Sequence, residues 1–349
     1  MNPVPNDTGF DLTINQREPC RVTPGATLLA ALRDQGIFIP SACGGHGACG
    51  LCKVRVDRGA EPGLTEKELW HLTEGERSSG MRLACQVPVR QALAVTIPES
   101  FFSAKEYRAE VSAIHDLTHD IRELELRLLN PPALTFRAGQ YIQLQIPRYE
   151  QVRQLSFRPY SIASAPSRAD RLELEIRLMP HGLGTTYIFQ HLKPHDPVKF
   201  HGPHGDFFLR DSARDILLIA GGSGMAPMKS ILEDMREKQD QRPTRLYFGA
   251  VSRRDLFLTE AMRQLETDLP DFHFIPALSQ PLPGDGWSGE TGLITEVIER
   301  QVQPGQPVDT YLCGSPGMIN ACIGVLSRKG IAGDRIFYDK FTRATPGGT

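Results

Sequence analysis

Three thiols fall within ten residues in Cys43-Gly-Gly-His-Gly-Ala-Cys49-Gly-Leu-Cys52, and four of the seven other positions in that run are glycine. Thiolates are soft ligands that suit iron. The glycines let a loop fold tightly and aim its N–H groups at sulfur, which stabilises the negative charge. A fourth thiol, Cys85 in Arg82-Leu-Ala-Cys85-Gln, can complete a four-sulfur site from a distance. The first gap is one residue longer than in the Cys-x4-Cys-x2-Cys run of plant-type clusters. Zinc is the alternative, but structural zinc sites pair two short knuckles and Cys85 has no nearby Cys or His partner. The pattern therefore predicts a 2Fe-2S cluster on Cys43, Cys49, Cys52 and Cys85. Cys20 and Cys322 read as packing residues, the second on a helical stripe with Ile319, Ile323 and Leu326. His46, at the loop tip, reads as solvated.

A second set of residues suits a flavin. Arg158-Pro-Tyr160-Ser161 joins a guanidinium that can pair with phosphate, a phenol that can lie on an isoalloxazine face, and a hydroxyl that can bond to its N5. Gly182-Leu-Gly184-Thr185-Thr186 reads as the opening of a helix whose N–H groups can hold a pyrophosphate. A third set suits a dinucleotide: Ala220-Gly221-Gly222-Ser-Gly224-Met-Ala-Pro227 follows an apolar strand and precedes a helix, although its spacing departs from Gly-x-Gly-x-x-Gly. Cys313-Gly314-Ser-Pro316 ends another strand at the sheet edge where ligands collect, with a structural Gly-Pro turn as the alternative. Arg253 or Arg254, after a further strand, has the chemistry for a ribose phosphate.

Elements must position these groups. From Asp11 to Ile97 short alternating strands surround one helix, Leu28 to Gln35, capped by Thr27 and ended by Gly36. Pro98 to Glu106 loses the alternation and reads as a linker. From Tyr107 to about Ser212 the pattern is nearly all strand, which suggests a closed antiparallel barrel. Beyond it, apolar strands at Ile216–Ala220, Arg245–Val251, Phe272–Leu278 and Thr310–Cys313 alternate with helical stripes, the signature of a parallel sheet. The expected domains are residues 8–100, 104–212 and 213–345.

The chain has 349 residues and a formal net charge of −2, with no basic tract, so nothing marks a nucleic-acid surface. No run approaches the ~18 apolar residues of a spanning helix, and the first ten residues do not form a signal peptide. With seven cysteines, an odd and clustered set, a disulfide scaffold is not expected and a cytoplasmic, reducing compartment is.

These motifs, in this order, resemble the ferredoxin-NADP reductase superfamily in the arrangement with an N-terminal 2Fe-2S domain, over nearly the whole chain. The cysteine gap, Ser41-Ala-Cys43-Gly-Gly, Gly221-Gly-Ser-Gly-Met-Ala-Pro-Met228 and Ala277-Leu-Ser279 resemble the F subunits of sodium-pumping NADH:quinone oxidoreductases. Reductase components of oxygenases are similar too. The F subunits begin with a membrane-spanning helix that is not seen here, so a relative serving another acceptor is expected.

The resemblance implies a β-grasp ferredoxin domain, an FAD-binding barrel and an α/β NAD(P)H-binding domain. It implies Arg158, Tyr160 and Ser161 on FAD, Gly184, Thr185 and Thr186 near its pyrophosphate, and Gly221, Gly222, Gly224, Pro227, Arg253, Cys313 and Gly314 around the nicotinamide nucleotide. Phe341 matches the C-terminal aromatic that covers the flavin, against a simpler reading as a last core residue. Ser161, Cys313 and Phe341 are the expected reaction-centre residues. The implied activity takes a hydride from NADH onto FAD and passes single electrons through the cluster to a protein docking near the cysteine loop. The alternative is an electron-carrier subunit of a larger respiratory or metallocofactor-reactivating complex. NADH is expected over NADPH, because the Lys and Tyr that accompany the Ser-Arg pair in NADP-specific relatives are not found downstream.

Overall fold

The structure is a computed structural model that describes residues 9–41, 43–150, 152 and 155–341. The N-terminal part holds β1 (Phe10–Ile14), β2 (Cys20–Val22), α1 (Leu28–Asp34), β3 (Lys53–Arg58), α2 (Glu66–His71), α3 (Glu74–Ser78), β4 (Met81–Leu83) and β5 (Leu93–Thr96). Its sheet runs β2-β1-β5-β3-β4, with β1 and β5 parallel. Thr27 caps α1 through its hydroxyl, as expected. Helices α2 and α3 were not expected. Each opens with a capping box, Thr65 with Glu68 and Thr73 with Glu76, which satisfies N–H groups that so short a helix could not otherwise cover.

The middle part holds β6 (Lys105–Asp116), β7 (Ile121–Asn130), β8 (Tyr141–Ile146), β9 (Ser156–Ser161), β10 (Arg171–Arg177), α4 (Leu183–Gln190) and β11 (Pro197–His204). These strands form one antiparallel sheet, β10-β7-β6-β11-β8-β9. An isolated bridge from Ile162 to Leu174 draws its two edges together. Leu124, Leu126, Ile142, Leu144 and Ile162 fill the barrel. The stretch read as a linker contains a 3-10 turn, Glu99–Phe102, and the start of β6.

The last part holds β12 (Asp215–Gly221), α5 (Met225–Lys238), β13 (Thr244–Ala250), α6 (Thr259–Asp268), β14 (Phe272–Leu278), β15 (Glu290–Thr291), α7 (Ile294–Gln301), β16 (Val308–Gly314), α8 (Pro316–Arg328) and β17 (Ile336–Lys340). Its sheet, β15-β14-β13-β12-β16-β17, is parallel throughout. One core lies on each face: α5 and α6 over Leu218 and Phe248, α7 and α8 over Ile219 and Leu312. Burial on both faces explains why these strands read as continuous apolar runs. Among the described residues no helix is long and apolar enough to cross a membrane.

Candidate active site

Cys43 and Cys49 sit half-buried on the glycine loop, Cys52 immediately precedes β3, and Cys85 lies in the 3-10 turn Ala84–Gln86; the last two are buried. The Ala84 N–H donates to the Cys52 carbonyl at 2.8 Å and ties those two segments together. The four sulfurs associate as two pairs, Cys43 with Cys49 and Cys52 with Cys85. Among the described residues no three of them lie within 4.8 Å of one another. A single zinc, with Zn–S near about 2.3 Å, needs all four around one ion. The two-plus-two set fits two irons, and the donor chemistry fits a 2Fe-2S cluster.

The loop stabilises thiolate. The Cys49 thiol, aided by N–H groups of Ala48, Cys49 and Gly45 and opposed by burial, brings Cys43 down to about 4. Cys85 is lowered by Cys52, by the Gln86 side chain and by the Gly47 N–H. Cys49 and Cys52, the partners that keep the proton, are raised by those same contacts and by burial. The backbone must turn sharply to do this. Gly50 has φ +67°, and a Cβ there would come within 2.7 Å of the His71 ring. The Lys67 ammonium donates to the His46 carbonyl at 2.9 Å, so α2 braces the loop at two points.

The loop packs against the barrel at the start of β9. A Cβ on Gly44 would lie 3.4 Å from the Leu155 carbonyl oxygen. The buried Ser41 N–H donates to Gln143 Oε1 at 3.1 Å, and Phe38 stacks on His201 with centroids 5.0 Å apart. Further along β9 stand Arg158, Tyr160 and Ser161. Gly184, in the first turn of α4, packs on two of them: a Cβ there would meet Arg158 Cγ at 2.7 Å and the Tyr160 hydroxyl at 3.3 Å. Gly182 caps α4 without a side-chain bond, so the helix start offers backbone N–H groups beside the guanidinium. Burial pushes the Tyr160 phenol up, so it stays neutral. The Ser161 hydroxyl is buried with no partner, which fits an acceptor supplied by a flavin. Thr185 is committed differently: its hydroxyl accepts from the Met179 N–H at 3.1 Å and bonds the Gly182 carbonyl at 3.1 Å. The Thr186 N–H donates to the Gly182 carbonyl at 2.8 Å.

The glycine turn after β12 rests on the end of β16. A Cβ on Gly224 would lie 2.2 Å from the Cys313 carbonyl oxygen, a close approach only glycine permits. Gly221 and Gly314 pinch Met318 between them, and Pro227 lies buried in α5. Beside this turn is a cleft of about 190 Å³, whose lining includes Gly222, Arg177, Asp120, Asp255, Ser279 and Met318. Arg253 stands outside that lining, its guanidinium donating to the Asp285 carbonyl. Burial pushes the fully buried Cys313 thiol up, and Asp339 adds to this. The Phe341 N–H donates to the Gly314 carbonyl at 2.9 Å, and its half-buried ring packs against the nucleotide-domain core.

Sequence reasoning missed several residues here. Arg177, at the end of β10, pairs with Asp120 at 2.7 Å, and its Nη1 would lie 3.2 Å from a Cβ on Gly222. Asp339 faces Cys313 across the β16–β17 register; burial and Asp206 raise it to about 6. Tyr141, opposite Ser161 on β8, is raised by burial and by the negative charges of Asp339, Asp206 and Cys49, and its ring lies 5.6 Å from that of His204. His201 and His204 form a buried pair at 2.8 Å; burial lowers them to about 3 and about 4, and His204 and Arg33 contribute to the fall at His201. Lys229 on α5 joins the barrel to the nucleotide domain through Glu173 at 2.6 Å and Glu123 at 3.2 Å. None of these positions falls in a spaced motif.

Family models match three successive stretches of the chain. Residues 12–90 match a 2Fe-2S iron-sulfur cluster binding domain, residues 108–209 an oxidoreductase FAD-binding domain, and residues 218–323 an oxidoreductase NAD-binding domain. The F subunit of the Na(+)-translocating NADH-quinone reductase of Klebsiella pneumoniae is 34% identical over 96% of this chain and 92% of its own length. Its Methylococcus capsulatus counterpart is 33% identical over 95% and 91%. The Amycolatopsis cytochrome P450 reductase GcoB superposes with a TM-score of 0.79 at 30% identity, covering 96% of this chain and all, 100%, of that one. The ferredoxin reductase in carbazole 1,9a-dioxygenase gives 0.71 at 25% identity, over 95% and 98%. With its cysteine pairs, flavin face and nucleotide cleft in this order, the chain belongs to the ferredoxin-reductase family of iron–sulfur flavoproteins that includes those F subunits, moving electrons between NAD(P)H, FAD and a 2Fe-2S cluster.

Proposed function

We propose that the chain is an NADH-dependent reductase that delivers electrons one at a time from its cluster to a separate metalloprotein, such as an oxygenase. FAD, when bound, supplies the conversion of a two-electron hydride into single electrons. The chain's residues do the positioning. Arg158 and the start of α4 would hold the phosphates of FAD, Ser161 would bond its ring, and the close Gly224–Cys313 contact would present bare backbone to the nicotinamide nucleotide. Cys43, Cys49, Cys52 and Cys85 would hold the cluster, and the loop that carries the first three packs at the start of the strand that carries Ser161. That juxtaposition is the observation on which the reading rests. The names of the P450 and dioxygenase reductases of the same build support an oxygenase-type acceptor.

The preference for NADH draws on Asp255, which lines the cleft after β13 and is fixed by the Ser252 N–H and hydroxyl at 2.8 and 2.7 Å. A carboxylate there repels a 2′-phosphate, while Arg253 is engaged elsewhere. Anaerobic titration tests both parts. NADH should bleach the flavin and then the cluster, with a higher specificity constant than NADPH. Cys85→Ser should abolish the cluster spectrum yet keep NADH-dependent ferricyanide reduction. A normal cluster spectrum in that variant, or a preference for NADPH, would overturn the corresponding part. A second reading, a carrier subunit of a larger NADH:quinone reductase-like assembly, draws on the identity with the Klebsiella protein. It requires that membranes carrying partner subunits, and not the isolated chain, turn over NADH with quinone.

A further inference from the structure

The outer wall of the barrel carries acidic side chains laid out by strand register. His115 on β6 stands opposite Glu123 on β7, and Glu123 stands opposite Glu175 on β10, so the three form one row across three strands. The next row holds Glu125 opposite Glu173. Their chain neighbours Ile114, Leu124, Leu126, Leu172 and Leu174 pack inside the barrel, which turns all five outward. There Lys229 of α5 comes down on Glu123 and Glu173, at 3.2 and 2.6 Å.

One ligand atom each from His115, Glu123 and Glu125 lies within 4.8 Å of the other two. His115 Nε2 is 3.4 Å from Glu125 Oε1, which matches the ~3.3 Å edge of a tetrahedron with zinc bonds of about 2.0 Å. Glu123 has two oxygens, so one can hold Lys229 while the other serves this group. Next to Glu123 in the row, Glu175 is 4% exposed and neither of its oxygens has a partner. Buried carboxyls ordinarily have a donor or a cation against them.

Positive charge is scarce at this seam between the barrel and α5. The carboxyls of Glu123, Glu125, Glu173, Glu175 and Glu233 share Lys229 and Arg168, the latter pairing with Glu173 at 2.6 Å and with Glu233 at 3.4 Å. The neighbouring arginines are spent on other acids: Arg122 on Asp116, Arg127 on Glu110, Arg171 on Asp170, Arg177 on Asp120 and Arg236 on Asp268. Crowded carboxylates with so little compensation are costly unless a cation joins them.

We infer that His115, Glu123 and Glu125 form a binding site for a divalent cation of the zinc class, with Glu175 as the inner carboxyl whose charge the ion offsets. One imidazole and two carboxylates, with a fourth position left for water, is a donor set that suits zinc. Lys229, bonded to Glu123, fixes the orientation of that ligand. The ion ties β6 to β7 where α5 meets the barrel. None of the three ligands lines the nucleotide cleft, so the site is structural and distinct from the redox path.

Calorimetric titration of zinc chloride into the full-length holoprotein, with flavin and cluster spectra followed alongside, tests the site. One ion per chain should bind with a Kd of about 20 µM or tighter and should raise the melting temperature. His115→Ala and Glu125→Ala should each weaken binding by about tenfold or more, and so should Glu175→Gln, which keeps the shape but not the charge. All three should reduce ferricyanide with NADH at the wild-type rate when zinc is absent. Weaker binding by the wild-type protein, or an affinity unchanged in His115→Ala and Glu125→Ala, would overturn the site. Bleaching of the cluster in step with zinc uptake would place the ion on the cysteines and overturn it as well. Wild-type affinity in Glu175→Gln would remove that residue from the site.

Discussion

Glu175 occupies an expensive position. It is 4% exposed, neither carboxylate oxygen has a partner, and Glu123, Glu173 and Glu233 crowd it with like charge. Burial outweighs the attraction of Lys229, and its pKa rises to about 8. The native state therefore holds a proton that the unfolded chain releases near its ordinary 4.5, so stability falls as pH rises from 4.5 to 8. Between pH 5 and 7.5 the loss is about 3 kcal/mol, and Glu175→Gln should remove it. Urea unfolding at both pH values checks this; parallel curves for the two proteins would show that Glu175 ionises freely. The His201–His204 pair acts with the opposite sign. Both stay neutral in the fold, so stability is full above their ordinary 6.5 and falls as pH drops toward 4. By pH 5 each histidine costs about 2 kcal/mol, which a His201→Phe, His204→Phe double variant should abolish in the same titration.

At the scale of elements, α2 links helix capping to iron retention. Thr65 accepts from the Glu68 N–H at 3.3 Å, and the Glu68 carboxylate reaches both back to Thr65 and across to Arg82. Thr65→Ala should cost about 1 kcal/mol of helix stability. Since α2 braces the cysteine loop, a chelator should bleach the cluster about fivefold faster, converting that energy through RT. Bleaching at the wild-type rate would separate the helix from the loop. The Thr-x-x-Glu signature was legible twice, at Thr65 and Thr73, but each helix is too short for periodicity to announce it. Apolar strands of the parallel sheet were legible, Phe272–Leu278 to the residue. The glycine turns and cysteines were legible because a fixed local spacing carries their chemistry. Arg177, Asp339, Tyr141 and Lys229 were not, because each gains its meaning from a partner brought near by the sheet rather than by the chain.

For the whole molecule, the core of the N-terminal part is made of its own residues alone, which predicts a stable remainder without it. A variant beginning at Ser103 should be yellow and iron-free and should reduce ferricyanide with NADH. It should also be less soluble, because it uncovers His201, on which Phe38 stacks, and Gln143, which accepts from Ser41. Loss of FAD from that protein would show that the barrel needs the ferredoxin domain to fold. The joint itself is clamped. The Asn15 side chain bonds both the N–H and the carbonyl of Ile97, at 2.8 and 2.9 Å, and the Arg17 guanidinium lies 3.8 Å over the Phe102 ring. Across the joint, the Ser41–Gln143 and Phe38–His201 contacts hold the cysteine loop at one place on the barrel wall. Flavin-to-cluster transfer thus becomes a first-order event, with an effective molarity set by geometry and not by how much protein is present. Diluting the protein a thousandfold would leave that internal step at the same rate, and only the meeting with an outside acceptor would slow.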